Sequence, residues 1–286
     1  VAHAAGPECI ETQRVVVCYD KDLRPAADKL IEIYPEVTAE LEATLRWKVD
    51  YRPVVYLVED RRVFTRMAGS RFYVAYAVPA KNLVVIDYSH MNIHPFTLRV
   101  TLKHELCHLL LHRHINKAHL PKWLDEGVAQ WSSEGIGEII VGKRRSRLTW
   151  ARLSGRLISL GALSHEFPRD EDSLILAYEQ SKDIVEYINK DFGRNSLLNL
   201  LNAVKNGNEI NDAMLISLAM PVSEFESRWR KHVKIFSALF AYIAGNIYSI
   251  LFFLSALLTV FAYIRLLIKK RRRMLEYEEE EVDTYQ

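Results

Sequence analysis

The sequence predicts an α+β fold, a small mixed sheet followed by a helical lobe, on three observations. Four short runs that read as strands lie before residue 90. Helical spacing of apolar residues takes over at Thr97 and holds almost unbroken from Trp150 to Lys234. The chain then turns wholly apolar, and sheet-first, helices-after is the order of a segregated α+β domain.

Composition sets the outer bounds. The 286 residues are 49% hydrophobic and 26% charged, with a net charge of +2, enough for one large or two modest cores. That balance gives no reason to invoke nucleic acid. Val1-Ala2-His3-Ala4 before Ala5-Gly6-Pro7 has the small-residue rhythm of a signal-peptide cleavage region. Cys9 and Cys18 either close a small loop, which fits an extracytoplasmic domain, or are two thiols. Cys107 reads as a buried small hydrophobe.

In chain order, Val15 to Tyr19 reads as a strand. Leu23 to Trp47 reads as a helical stretch through Leu30, Ile33, Val37, Leu41 and Leu45, kinked or divided at Pro35. Strand-like runs follow at Val54 to Val58, Phe72 to Ala77 and Leu83 to Ile86. Glu59 to Arg71 carries Arg61, Arg62, Arg66 and Arg71 and reads as a charged, solvated loop. A second basic run, Lys143, Arg144, Arg145 and Arg147, follows a turn at Gly135-Ile136-Gly137. Either run is a place for anionic lipid or an acidic substrate if it is more than a solvated face.

The chemistry concentrates in Thr101 to Gln130, which holds His104-Glu105-Leu106-Cys107-His108 and then Trp123-Leu124-Asp125-Glu126-Gly127. Residues four apart on a helix differ by about 400° of rotation, so the imidazoles of His104 and His108 share a face and can meet one ion. Glu105 stands about 100° away, within reach of a metal-bound water without being a ligand itself. Two residues compete for the third ligand position. His114 completes a longer histidine spacing, but Leu111 stands where that pattern has a helix-breaking glycine, and an unbroken helix turns His114 about 240° from His108. Glu126 lies on the next helix, beyond the break at Pro121.

These residues resemble the gluzincin metallopeptidases, the thermolysin and aminopeptidase N group. They look closest to peptidase-MA-like families, in which HExxH is followed by W-L-x-E-G-x-A. The resemblance implies a two-lobed zincin fold and zinc held by His104, His108 and Glu126, with Glu105 as general base in peptide hydrolysis. It also implies that the last strand before the zinc helix, matched by Leu83 to Asp87, lies along the cleft and holds an extended peptide. Tyr178, in Tyr178-Glu179-Gln180-Ser181, matches the tyrosine that helps hold the oxyanion. His165 and His232 are rivals for that role. No Gly-x-Met-Glu-Asn segment precedes the zinc helix, so aminopeptidase specificity does not carry over. Two other classes remain beside a zinc metallopeptidase: a catalytically silent zincin-fold scaffold that binds in its cleft, and a purely structural zinc.

Later helices are expected at Leu174 to Lys190, Ser196 to Val204, Asn211 to Leu218 and Val222 to Val233, separated by Gly193, Asn206-Gly207-Asn208 and Pro221. Ile235 to Ile264 is about thirty residues without a charge, more than the roughly 20 needed to cross a bilayer. One spanning helix is expected near Leu239 to Ile264. Basic residues flank both sides, with Arg265 and Lys269 to Arg273 slightly favouring a cytoplasmic C-terminus. Glu276 to Asp283 reads as a disordered acidic tail. The organisation expected is therefore a zincin-like domain over 1–234 (sheet part about 1–96, helical part about 97–234), a membrane helix over 235–268 and a polar tail over 269–286. Its substrates would be membrane-proximal peptides or proteins, and the sequence carries no mark of oligomeric state.

Overall fold

The computed structural model describes residues 6–91, 93, 96–133, 146–232 and 242–284. The expected cleavage region at residues 1–5, the turn at Gly135–Gly137, the basic residues Lys143, Arg144 and Arg145, and the chain from 233 to 241 lie outside them. The chain divides into two compact units, Val1–His232 and Val233–Gln286.

In the first unit a five-stranded mixed sheet runs in the order β1 (Glu8–Glu11), β2 (Val16–Tyr19), β3 (Val54–Val58), β5 (Leu83–Asp87), β4 (Ala75–Val78). The central strands β2, β3 and β5 are parallel, and the outer strands β1 and β4 are antiparallel to their neighbours. Cys9 and Cys18 face each other in register across β1 and β2 and are disulfide-bonded. Val17, Val55, Leu57, Val84 and Ile86 point into the main core with the buried faces of α1 (Arg24–Leu45) and α3 (Leu98–His114). On the opposite face, Val58 and Val85 pack with Phe64 of α2 (Arg61–Ala68).

Three expectations about this lobe are corrected. The charged stretch after β3 is a helix, because the Asp60 carboxylate caps the backbone N–H groups of Arg62 and Val63, and Gly69 ends it at φ 69°. One buried aromatic, Phe64, holds its inner face, too sparse a signal to show as periodicity. Pro35 does not divide α1. Its missing hydrogen bond costs about 3 kcal/mol, but Leu30, Tyr34, Val37, Leu41 and Leu45 are buried along one stripe, each worth about 1.5–3 kcal/mol. Finally, β5 has neighbours on both sides, so the open edge beside the cleft belongs to β4, which also begins three residues later than the Phe72 to Ala77 run.

The helical lobe follows the expected order: α4 (Lys122–Ser133), α5 (Arg147–Ser154), a single turn α6 (Leu160–Leu163), α7 (Glu171–Tyr187), α8 (Arg194–Lys205), α9 (Ile210–Leu218) and α10 (Val222–His232). A π-helical turn, Ile188–Phe192, joins α7 to α8. α4 starts where Pro121 supplies its carbonyl to Leu124 and Asp125.

In the second unit α11 spans Ile247–Thr284. Its Ile247–Arg271 portion, which contains an 18-residue stretch of mean hydropathy 2.3, is long and apolar enough to cross a membrane. Residues 242–245 are also helical, with a turn at Asn246 before α11, and the expected start near Leu239 lies outside the described residues. The acidic tail is helical through Thr284 rather than disordered. Arg, Lys, Met, Leu and Glu, which fill most of 269–281, are strong helix formers.

Candidate metal centre and cleft

Helix α3 is capped by Thr97, whose hydroxyl accepts from Val100 N–H, and is buried on every side from Thr101 to Leu111. Lys103 ties it to α1 through Glu40 at 2.8 Å, and Arg99 reaches the same carboxylate. A helix held this way has little freedom to rotate. The Nε2 atoms of His104 and His108 stand 3.1 Å apart, and Glu126 Oε2 of α4 lies 3.9 and 3.5 Å from them. Two nitrogens bound to one zinc at about 2.0–2.1 Å in tetrahedral geometry sit roughly 3.3 Å apart, so these donors match in kind and spacing.

The surrounding charge points the same way. His104 is fully buried, and burial together with His108 pushes its pKa down to about 3, leaving it a neutral donor. Burial also opposes charge on His108, but the Asp125 and Glu126 carboxylates outweigh it and hold that pKa well above its usual value. Glu126 is likewise held down to about 2 by Lys122 and His108 despite its burial. Two buried carboxylates thus stabilise positive charge at the point where the nitrogens converge. A divalent cation satisfies that field more fully than a proton.

His108 Nδ1 is 2.7 Å from Asp125 Oδ1, and His112 Nε2 is 3.0 Å from Asp125 Oδ2. Asp125 therefore fixes the tautomer that presents Nε2 of His108 to the centre. Glu105 is fully buried one residue along from His104. His114 is not part of the cluster: its ring packs on Trp47 at 4.9 Å. His232 pairs with Asp191 near the end of α10. His165 lies exposed on the rim of the cleft.

That cleft, about 1530 Å³, is lined by His108, Asp125 and Glu126, by Tyr76 to Val78 of β4, and by Tyr178. Tyr178 is buried on α7. Its carbonyl accepts from Gln130 Nε2 of α4 at 3.0 Å, which sets α7 against the helix that carries Glu126.

A family model, described as the Peptidase MA superfamily, matches residues 65–235, which takes in α3, α4 and α7. The chain belongs to the Peptidase MA superfamily. A solved structure of Legionella pneumophila aminopeptidase A, in complex with aspartic acid, is similar at 13% identity with a TM-score of 0.46. The match covers 78% of this chain and 27% of that one, so this chain spans about a quarter of that protein's length. No curated protein matches the chain.

Within this Peptidase MA fold, gluzincin-like in its paired helices, sequence reasoning missed Asp125, His112 and Lys122 as neighbours of the centre. One signal for His112 was present: His104, His108 and His112 recur every fourth residue and so share a face of α3. Asp125 gave none, because its role depends on how α4 crosses α3. The small residue in the same segment, Gly127, is explained by packing. A Cβ there would lie 2.3 Å from the Ser181 carbonyl oxygen and 2.6 Å from Val185 Cγ2 on α7.

Proposed function

We propose that this chain is a membrane-anchored zinc metallopeptidase in which His104, His108 and Glu126 hold the ion and Glu105 is the general base. The observation that carries this reading is the convergence of two imidazole nitrogens and a buried carboxylate beside a cleft, in a Peptidase MA chain. Zinc, when bound, supplies a Lewis acid for the scissile carbonyl and a water of pKa about 7.

The remaining work belongs to side chains and backbone. Glu105 takes the proton from the attacking water and passes it to the departing amine. Tyr178 donates to the developing oxyanion, a contribution of roughly 3 kcal/mol for one such donor. Strand β4, at the open edge of the sheet and in the cleft wall, offers unpaired backbone groups to an extended peptide. Asp125 keeps His108 from turning. In this reading residues 1–234 form the catalytic domain, 235–268 the membrane segment and 269–286 the tail. The catalytic domain lies outside the cytoplasm, the C-terminus inside it, and the substrates are peptides or proteins near the bilayer.

Zinc content and hydrolysis of a peptide library, measured on Glu105→Gln and Glu126→Ala, test the scheme. The first variant keeps metal and loses turnover, and the second loses metal. Wild-type hydrolysis by either variant discards it. Peptide binding without cleavage by zinc-loaded wild-type protein would favour the silent scaffold instead.

A further inference from the structure

We infer that one wall of the cleft is a receptor for a large apolar side chain of the substrate, a specificity that rests on the peptide-binding reading above. Five side chains from three segments of the chain meet there. Leu174 and Tyr178, both buried on α7, pack with the half-buried rings of Phe72 and Tyr73, from the segment between α2 and β4, and of Phe167, from the segment between α6 and α7. All five also line the cleft. Phe167 meets Tyr178 edge to face at 5.1 Å between centroids. The cluster thus joins the sheet lobe to the helical lobe while keeping rings open to the substrate channel.

Its distance from the reaction centre is short. Lys122 Nζ lies 5.9 Å from the Phe167 ring centroid and pairs with Glu126 Oε1 at 2.5 Å. One ammonium group therefore separates the aromatic wall from the proposed third ligand. A peptide running along β4 and crossing the centre passes this wall. The segment bearing Phe72 and Tyr73 is itself anchored: Arg61 donates to the carbonyls of Tyr73 and Arg71 and pairs with the buried Asp87 at 2.7 Å. Rings held by such a clamp form a preformed apolar surface, which rewards burial of a matching side chain with little ordering cost.

The charged rim gives the competing expectation. Lys117 and Arg169 stand exposed on it, and a cleft that selected by charge would favour acidic peptides. Both cations stand exposed to solvent, where their charge is screened, whereas the wall is a half-buried apolar surface one ammonium group from Glu126, so side-chain size decides.

The test measures binding of a short neutral peptide, in which one position at a time carries Phe, Leu, Ala or Glu, to the zinc-loaded Glu105→Gln protein. At one position Phe and Leu bind roughly tenfold more tightly than Ala or Glu. Phe167→Ala or Tyr73→Ala in the same background narrows that gap to about threefold or less, with zinc content and circular dichroism unchanged. A flat series, a preference for Glu, an undiminished gap in both variants, or no binding at all overturns the inference. Wild-type turnover separates it from the peptidase reading. Cleavage of all peptides at equal rates removes the wall and keeps the peptidase, whereas size-selective binding without any cleavage removes the peptidase and keeps the wall.

Discussion

Asp125 uses both carboxylate oxygens on histidines, one on the side chain that faces the centre and one on His112 at the rim of the cleft. Asp125→Asn can still accept one hydrogen bond but loses the charge that favours the Nδ1–H tautomer of His108. Zinc affinity, measured by competition with a chromogenic chelator, is expected to fall about 10- to 100-fold with the fold intact. An unchanged affinity would show that packing alone orients His108. Much at this scale was readable from spacing, because a four-residue interval on a helix is a statement about direction. His104, Glu105 and His108 needed nothing more. The resemblance already favoured Glu126 over His114, but how closely its carboxylate approaches the imidazoles depends on how α4 crosses α3, since seventeen residues lie between Glu126 and His108 and no local rule spans them.

At the scale of elements, the site depends on how α3 and α4 are braced. Gly127→Ala pushes a methyl group into the Ser181 carbonyl and Val185, so α4 must move off α7 or α7 must bend. Overpacking of this kind costs about 1–3 kcal/mol, read as a lower denaturation midpoint, and zinc affinity falls with it because Glu126 is the preceding residue. On the other side, the bond from Lys103, then Arg99, holds the Glu40 carboxyl below its usual 4.5. A depressed folded pKa means the pair's stabilisation is complete above the unfolded value and is lost as pH falls through the folded one. Glu40→Gln should therefore destabilise by about 1 kcal/mol at pH 7, Glu40 being partly exposed, and the gap from wild type should close in acid. A gap that persists below the folded pKa would assign the loss to packing. Helices α7 to α10 lay close to their expected bounds because their apolar stripes are regular and Gly193, Asn206-Gly207 and Pro221 punctuate them. β1 was missed because its residues are mostly exposed and carry no alternation, and α2 because a single buried ring holds it.

For the whole molecule, metal and membrane are the two levers. Stripping zinc with a chelator should lower the melting temperature of the first unit by about 5–10 °C relative to protein at free zinc one hundred times its Kd, since bound ligand then contributes about 2.7 kcal/mol. The same treatment of Glu126→Ala should change little. In detergent phase separation the full chain should partition with detergent and a chain ending at His232 should stay in water, because α11 carries no charged side chain from Ile247 to Ile264. Aqueous behaviour of the full chain would count against a membrane anchor.

The sequence by itself determined what is local: the helical periods, the histidine pair with its glutamate, the W-L-D-E-G segment and the apolar terminal stretch. Each is a relation among residues within a few turns, where backbone geometry alone fixes which side chains share a face. Tertiary structure decided what depends on one element crossing another: β4 rather than β5 at the open edge, Asp125 behind His108, Gly127 beneath Ser181, and an aromatic wall assembled from residues 72 to 178. Such contacts are set by the burial of many apolar surfaces at once, and no stretch of chain carries that sum alone.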